Sequence, residues 1–599
     1  MTFLNGVHQP KTASDRLAGE SENKNPEFFR SLFSPAEMAA PALGSSHTPG
    51  SLQAYAARGW DRPIDAGWDG WAFLELCDDI PDRVVALGEQ REISEKMVAA
   101  ASAAGAWKGI MTMNGISRRS WLKTVGAGIT VAPFSRIMGA NDDIRLAVVG
   151  VGSSVKIGGK GKQDARAFSR TPGVRVVALC DPERAHLAPL VEEFKRNNQP
   201  VEGFADIRKL LERKDVDAVS VTTPNHWHAL VAIWACQAGK DVFVQKPASH
   251  NIFEGRKMVE AAQKYKRIVA VTSLSRSASF KAALEYVWQG NLGKPLYIYG
   301  VNYKPRTSIG KVTGPQPIPK TLDYDLWSGP APVLPVNREF LHYDWHWEWP
   351  YGNGDLGNMG IHFLDGCRMA VKSGLPCRVM SFGGRFGYID DGETPNTELI
   401  YLDYYPAPII FEVRGLPKDK SFLGTQWDKN PASMDAYRGV RTGVIVQCEN
   451  GYLAGNQAFD ASGKPIQGFR GSGGNEYEPF IKAVRSRKAA DLADLSGDVL
   501  EGHLSAALVH MGNIAYRLGK TIPAGEIAER VSGNAALREV AGRFREHLAA
   551  NGIATENLVA SPTLTMDPEK ERFTGEFASE ANKLVSRQYR KPFVVPEKV

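Results

Sequence analysis

The sequence predicts an α/β chain, with a doubly wound parallel sheet followed by an α+β domain whose open sheet is mostly antiparallel. From Ile144 onward, short runs of β-branched residues alternate with helix-like segments, which is typical of a parallel sheet covered by helices. After about residue 290 the strand-like segments become longer and alternate polar with apolar residues. That pattern favours an antiparallel sheet in a second domain.

Individual segments support this division. The strands predicted for the first domain are IRLAVVGVG, VRVVALCD, DAVSVTTP, DVFVQKP and IVAVTSLS, and its helices include AHLAPLVEEFKR, HALVAIWACQAG and FEGRKMVEAAQKY. The strands predicted for the second domain are PLYIYGVNY, CRVMSFGGRFG, TELIYLDYY, PIIFEVRG and GVIVQCENGYLAG, followed by helical YEPFIKAVRSRK and LSAALVHMGNIAYRLG. We place the first domain at residues 141–275, the second at 276–525 and a loosely structured C-terminal arm at 526–599.

Composition excludes several classes of protein. A chain of 599 residues exceeds what one hydrophobic core usually organises, so at least two domains are expected. The net charge of +6 is spread without a long basic run, which argues against a nucleic-acid partner. The six cysteines lack paired CxxC spacing, so they indicate buried thiols rather than a zinc site or disulfide framework. No apolar stretch reaches the roughly 18 residues that a membrane span needs.

Residues 1–112 carry no site motif and are expected to be a poorly structured extension, upstream of a true start at Met111 or Met113. In residues 113–140 the pattern SRRSWLK, with Arg118 and Arg119, precedes an apolar stretch rich in Gly and Ala. This pattern is typical of a twin-arginine signal, which predicts the twin-arginine export machinery as a partner and a periplasmic or exported protein. The alternative is a basic helix start before a buried segment, in a cytoplasmic protein.

Glycines follow the first strand, at Gly150 and Gly152, and a second cluster at 158–161 indicates a lengthened loop. Glycine at a strand end lets the backbone approach a pyrophosphate at a helix N-terminus. Asp181 ends the second strand about 20 residues beyond this cluster, where a ribose-binding acid is expected. The pattern predicts a Rossmann domain that binds a dinucleotide, with NAD slightly favoured over NADP because an acid repels a 2′-phosphate. Because the basic residue Arg184 lies nearby, NADP stays an alternative cofactor. Asp181 is alternatively a helix cap.

At four stretches the chain resembles the Gfo/Idh/MocA oxidoreductases, the family of glucose–fructose oxidoreductase and inositol dehydrogenase. The resemblance covers roughly residues 143–520, and its stretches are TPNHWH (223–228), AGKDVFVQKP (238–247), DLWSGPAP (325–332) and GNMGIHFLD (357–365). It implies a tightly bound NAD or NADP. The cofactor-binding residues that the motifs and the resemblance predict together are Gly150, Gly152, Asp181, Thr223, Pro224, Asn225, His228, Gln245 and Lys246.

The resemblance also implies the catalytic residues. Lys246, at the carboxyl end of a parallel strand, is expected to stabilise a developing alkoxide, and Pro247 is a candidate for a cis peptide. His362 is the expected general base. Asn358 stands where the family often has an aspartate that orients this histidine, so Asp365 or Asp355 is a candidate for the missing charge. Gln245 likewise replaces the usual glutamate. The alternatives are a solvated turn lysine for Lys246 and a turn residue for Asp355.

Candidate substrate residues are Tyr303, Arg306, Trp347 and His362, with Lys304 beside them. The aromatic stretch 343–351 suits a sugar, whose C–H faces stack on rings, but it equally suits a packed interface. His342 and His346 have i, i+4 spacing, yet Pro350 and the nearby glycines argue against a helix there, so no metal site is predicted.

Taken with the resemblance, these features predict an NAD(P)-dependent oxidoreductase that acts on a sugar, polyol or glycoside. One alternative is a glycosidase or lyase that oxidises its substrate transiently, and another is a non-catalytic sugar-binding protein on the same fold. The resemblance further implies a homodimer or homotetramer that associates through the open face of the second-domain sheet.

Overall fold

In the computed structural model, the described residues are 143–153, 159–272, 276–424, 426–471, 476–495, 497–554, 556 and 558–599. They belong to one compact unit of the chain, Asp69–Val599. The predicted N-terminal extension and twin-arginine signal, residues 1–112 and 113–140, lie outside the described residues.

The first domain is built on a six-stranded parallel sheet. Its strands are β1 Ile144–Val149, β2 Val174–Cys180, β3 Glu202–Phe204, β4 Ala218–Val221, β5 Asp241–Val244 and β6 Val269–Val271, in the order β3-β2-β1-β4-β5-β6. Strand order reverses between β1 and β4, and such a switch point opens a crevice at the carboxyl ends of the strands. Because both faces are covered by helices, β1, β4, β5 and β6 are almost continuously apolar and buried.

Helices on both faces connect these strands: α1 Lys160–Arg170, α2 Arg184–Arg196, α3 Ile207–Leu211, α4 Asn225–Gln237 and α5 Ile252–Lys264. Their N-termini are set by the residues before them. Asp206 and Asn251 each accept a backbone N–H from the first turn of the helix that follows. α4 begins directly after Pro224, which has no N–H to satisfy. It is buried on nearly every side, so it anchors the crevice edge to the core.

The second domain is built on a 12-stranded sheet. Its strands are β7 Pro295–Tyr303, β8 Arg378–Gly384, β9 Thr397–Leu402, β10 Ile409–Arg414, β11 Thr442–Cys448, β12 Gly451–Ala454, β13 Gln457–Asp460, β14 Pro465–Gly468, β15 Lys520–Thr521, β16 Val559–Ala560, β17 Leu564–Asp567 and β18 Arg572–Thr574. The pair β7–β10 is parallel, and the other described pairs of this sheet are antiparallel. The predicted fold class, a Rossmann domain followed by an α+β domain with a mostly antiparallel sheet, is confirmed.

The remaining helices, in chain order, are α6 Ala278–Trp288, α7 Tyr324–Ser328, α8 Ile361–Val371, α9 Glu478–Ser486, α10 Ala489–Ala493, α11 Val499–Leu518, α12 Ala524–Ser532, α13 Ala535–Ala550 and α14 Ala578–Leu584. Three of them, α6, α8 and α11, pack against one face of this sheet. Short 3-10 turns lie at Asp344–Trp347, Lys420–Phe422, Trp427–Lys429 and Pro431–Ser433, and a π-helical turn at Leu356–Gly360. Helices α6, α8 and α11 contribute Phe280, Leu364 and Leu508 to one large core against the sheet.

The opposite face of the sheet is covered as well. Leu537, Val540 and Phe544 of α13 pack onto Tyr299 and other side chains of the strands, and α12 adds further apolar contacts. Burial of α13 follows a helical repeat, with its intervening residues exposed. The face through which the resemblance implies association therefore carries α12 and α13 of the same chain.

Residues 526–599 do not form the loosely structured arm that the sequence analysis expects. They contain α13, two further helical segments and strands that pair with β8. The last residues then return to the first domain, where Phe593 packs on Trp227 and Trp234 of α4. Polar, glycine-containing stretches obscure this in the sequence, because each short element is held by partners distant in the chain.

Among the described cysteines, Cys180, Cys236, Cys367 and Cys448 are buried and free, and Cys377 is free but exposed. The expectation of buried thiols therefore fails at Cys377. Within the part of the chain that the structure describes, no helix has the length and apolarity needed to cross a membrane.

Phe544→Ala should loosen α13 from the sheet, because the ring is 2% exposed and its removal leaves a cavity. We expect the free energy of unfolding to fall by about 3–5 kcal/mol, measured as an earlier urea transition. Glu546→Ala, at an exposed position of the same helix, is the matched control and should change little. Equal transitions for the two variants would contradict the packing described here.

Candidate active site

The carboxyl end of β1 forms a glycine cradle. Gly150 and Gly152 have φ angles of +84° and +77°, a region that favours glycine. A Cβ on Gly150 would lie 2.7 Å from the backbone nitrogen of Thr223. A Cβ on Gly161, in the first turn of α1, would lie 1.8 Å from the carbonyl oxygen of Gly150. Gly161 therefore provides the close helix–strand packing of the third glycine in a dinucleotide fingerprint. Val155, in the expected position of that glycine, lies outside the described residues.

Asp181 lies beside this cradle, as predicted. Its carboxylate accepts the backbone N–H of Val151 at 2.9 Å and that of Glu183 at 2.9 Å. Burial raises the pKa of the Asp181 carboxyl to about 6, although both hydrogen bonds favour the charged form. The acid thus fixes the glycine turn and stands at the strand tip where a ribose binds in this fold.

The TPNHWH segment joins β4 to α4 at the next position along the crevice. The Thr223 hydroxyl is buried and has no hydrogen-bond partner among the described residues, and Pro224 caps α4. Asn225 donates from Nδ2 to Asn353 of the second domain at 3.0 Å. Thr223 and Pro224 are placed to line a cofactor site, whereas Asn225 mainly ties the two domains together.

His228 is 1% exposed and lies beneath the crevice surface. Its Nε2 is 2.8 Å from the carbonyl oxygen of Thr223, and its Nδ1 is 2.7 Å from that of Pro247. Burial lowers the pKa of this imidazole. His228 therefore connects the ends of β4 and β5, and it positions Lys246 rather than lining the crevice itself.

Gln245 is buried and donates from Nε2 to Asp164 of α1 at 3.3 Å. Asp164 is fully buried, and burial raises the pKa of its carboxyl. A glutamate at 245 would place a second carboxylate against it, and the neutral amide avoids that repulsion. Asp164, which also pairs with Lys160, is a residue that the sequence analysis missed. Its signal is an acid on the otherwise apolar buried face of α1.

Lys246 reaches across the crevice to the second domain. It follows β5 directly, and the Lys246–Pro247 peptide is cis, as the sequence analysis suggested. Its ammonium group donates to the backbone carbonyl of Asn358, and Nζ lies 3.4 Å from the Asn358 side-chain oxygen. Burial, reinforced by the cations of Lys304 and Arg306, lowers the pKa of Lys246 to about 7.

Asn358 lies in the π-helical turn Leu356–Gly360, which runs directly into α8. π-Helical turns are frequent at functional sites. His362 is in the first turn of α8, and helical side chains point back toward the N-terminus of their helix. His362 therefore follows Asn358, the residue that receives Lys246, by about one helical turn. Lys246, Asn358 and His362 are all partly exposed, as expected of residues that line a cleft.

Asp355 precedes this turn and pairs with Arg306. The guanidinium of Arg306 also lies 5.6 Å from the ring centre of Trp347, at the end of the 3-10 turn Asp344–Trp347. Burial, reinforced by the cations of Lys246 and Arg306, lowers the pKa of the neighbouring His346 imidazole to about 3. Predicted substrate residues Arg306 and Trp347 are thus brought together, whereas Trp345 and Tyr351 of the aromatic stretch pack into a buried cluster with Tyr324 and Trp327.

Tyr303 does not reach the site, contrary to the prediction. It is 1% exposed, and its hydroxyl donates to Glu412 at 2.6 Å, on the sheet face that α13 covers. Successive side chains of a strand point to opposite faces, so Tyr303 at the end of β7 turns away while Lys304 turns toward the cleft. The error is one residue of register, which an isolated sequence does not reveal.

Asp365 is also not the partner expected for the catalytic histidine. Its two oxygens accept from Arg276 at 3.1 and 2.8 Å, and Ser505 donates to one of them at 2.5 Å. With 0% exposure, this carboxylate is compensated within the core between α8 and α11. Asp355 is the acid that faces the cleft, through its ion pair with Arg306.

The fold defines a Rossmann domain followed by an α+β domain, with Lys246 of the first domain in contact with the turn of the second domain that leads to His362. The glycine cradle and the buried Thr223 hydroxyl fit a dinucleotide. Residues 144–273 match the profile of the Gfo/Idh/MocA oxidoreductase family, NAD-binding Rossmann fold, and residues 279–375 match its C-terminal alpha/beta domain.

Curated relatives of two kinds are similar to this chain. It is 27% identical over 214 residues to a glycosyl hydrolase family 109 protein of Shewanella baltica, covering 31% of this chain and 45% of that protein. It is 30% identical over 186 residues to an inositol 2-dehydrogenase of Salmonella typhimurium, covering 31% and 52%. The chain thus spans about half the length of these relatives.

Among solved structures, the WlbA dehydrogenase from Bordetella pertussis, in complex with NADH and UDP-GlcNAcA, superposes with a TM-score of 0.43 at 17% identity. That comparison covers 62% of this chain and 95% of the other.

Gly161→Ala should abolish dinucleotide binding, because the added methyl group collides with the Gly150 backbone and pushes α1 off the strand end. We expect loss of bound nicotinamide from the purified protein, measured by its absorbance after release, with at least a tenfold weaker affinity for added NAD. Gly525→Ala, at a glycine of α12 with open space around it, is the control and should retain the cofactor. Normal cofactor content in Gly161→Ala would show that the cradle does not hold the pyrophosphate.

Proposed function

We propose that this protein is an NAD(P)-dependent oxidoreductase that transfers hydride between a nicotinamide cofactor and a sugar, polyol or glycoside. The observation that supports it best is the contact of Lys246, at the crevice end of β5, with the turn that leads into His362. This contact joins the ammonium group of one domain to a turn of the other domain that lies about one helical turn before His362. Similarity to inositol 2-dehydrogenase supports the substrate class.

The chain's own residues divide the work. The glycines and Asp181 hold the dinucleotide, with NAD favoured by the acid, and the bound cofactor supplies the hydride acceptor or donor. The ammonium of Lys246 stabilises the alkoxide that develops on the substrate oxygen. His362 takes the hydroxyl proton during oxidation and returns it during reduction. Asn358 keeps Lys246 in position through its carbonyl, a role that needs no carboxylate.

A second candidate is a glycosidase that oxidises its substrate transiently and eliminates the aglycone without net redox change. Similarity to glycosyl hydrolase family 109 proteins supports it, and it would use the same lysine and histidine. Export by the twin-arginine route is also part of the proposal, on the SRRSWLK pattern. We further propose a homo-oligomer that uses a surface other than the sheet face covered by α12 and α13.

Purified protein, screened with sugars, polyols and aryl glycosides, tests these candidates. Stoichiometric appearance of reduced nicotinamide absorbance supports the dehydrogenase, whereas release of the aglycone at constant absorbance supports the glycosidase. Lys246→Met should lower kcat by about a hundredfold or more in either case, since it removes the group that stabilises the oxyanion. Failure to bind any dinucleotide would defeat both.

The pKa of Lys246 predicts the pH dependence of carbonyl reduction. Because that pKa is lowered to about 7, the ammonium form is complete only below pH 7, and kcat/KM for reduction should fall as pH rises through this value. Lys246→Arg, whose side chain stays charged, should remove this fall. Lys195→Arg, at an exposed position of α2, should keep it. A wild-type profile that is flat to pH 9 would assign the proton chemistry elsewhere.

A further inference from the structure

Three cationic side chains meet at the cleft beside the proposed reaction centre. Arg306 pairs with Asp355, and Lys246 donates to Asn358, so both cations attach to the same turn three residues apart. Lys304 is separated from Arg306 by a single proline and follows Tyr303 on the opposite face of β7. Each of the three side chains is partly exposed, and none is fully exposed to solvent.

The charges of this cluster are not balanced. Asp355 is the acid that acts on both lysines, and Lys160 is a further cation that acts on Lys246. In the described part of the chain, Nη2 of Arg306 is buried without a hydrogen-bond partner, and so is Oδ2 of Asp355. Burial and the neighbouring cation of Arg306 together lower the pKa of Lys304 to about 8. A buried guanidinium nitrogen without an acceptor is costly unless a ligand supplies one.

We infer that the substrate carries an anionic group, a carboxylate or a phosphate, which binds to Arg306 and Lys304 beside Lys246. The guanidinium presents its free nitrogen to such an oxyanion, and Lys304 adds a point charge. The inference rests on the oxidoreductase function proposed above and narrows its substrate to a sugar acid or a sugar phosphate.

Binding of the anion has a second consequence. A negative charge beside Lys246 favours its ammonium form, so the substrate restores the charge that the empty cleft suppresses. Binding at pH 8 should therefore take up protons, and a neutral sugar should not cause this uptake. When the anionic substrate is bound, Lys246 is therefore in the charged form that stabilises the alkoxide.

Calorimetry on the full chain with its dinucleotide tests the inference. The probes are glucose, galactose and mannose, each compared with its uronate and its 6-phosphate. We expect one anionic series to bind about tenfold tighter or better than the neutral sugars. Preference for the uronates identifies a carboxylate, and preference for the 6-phosphates identifies a phosphate. Equal or weaker binding of both anionic series, including the absence of any binding by them, overturns the inference.

Variants locate the effect. Arg306→Gln and Lys304→Gln should each weaken the preferred anionic probe by about tenfold and the neutral sugar by less than about twofold. Arg378→Gln is the matched control, because this arginine also pairs with an aspartate, Asp403, but on the exposed end of β8. Equal losses for neutral and anionic probes would reduce both residues to a structural role and overturn the inference.

Proton uptake gives an independent measurement. At pH 8, the binding enthalpy of the preferred anionic probe should differ between triethanolamine and Tris buffers, which are both cationic and differ in ionisation enthalpy, and Lys246→Met should remove the difference. Buffer-independent enthalpies in the wild type would contradict the coupling. If the protein reduces NAD with neutral sugars yet shows no anion preference, only this inference fails. If it holds no dinucleotide, the proposed function fails.

Discussion

The contact between the Lys246 ammonium and the Asn358 carbonyl is the interaction on which the cleft depends. It joins the carboxyl end of a parallel strand in one domain to a π-helical turn in the other. Asn225 and Asn353 make a second connection nearby, and both lie in buried surroundings where hydrogen bonds are hard to replace with water. A few buried polar contacts therefore connect the two apolar cores of the domains where Lys246 meets Asn358.

Burial of cations is the second constraint. Lys246, Lys304 and Arg306 occupy a cleft in which Asp355 is the acid that acts on them, and desolvation lowers the pKa of both lysines. Natural sites tolerate such an imbalance where a ligand completes it. The arrangement explains why asparagine can stand at 358. A carboxylate there would lie against the ammonium and raise the pKa of Lys246, whereas the neutral amide of Asn358 leaves that pKa low.

The C-terminal residues connect the two domains. Arg587 donates to the carbonyl of Pro350, and Arg590 pairs with Asp325. Phe593 then packs on the helix that begins with the TPNHWH segment. Segments from both ends of the described chain thus support one surface of the site. The sequence did not predict these contacts, because the C-terminal residues have mixed polarity and no periodic pattern that identifies their partners.

By itself, the sequence determined the alternation of strands and helices, the glycine cradle, Asp181, Lys246 and the GNMGIH segment, because each depends on local pattern or on spacing along one strand–turn–helix unit. Only the tertiary structure decided that Tyr303 faces α13 while Lys304 faces the cleft, that Asp365 belongs to Arg276 and that Gln245 meets Asp164. Those outcomes depend on strand register and on charges brought together from distant parts of the chain. A one-residue shift along a strand moves each side chain to the opposite face of the sheet. A buried carboxylate pairs with the cation that the packed fold places against it.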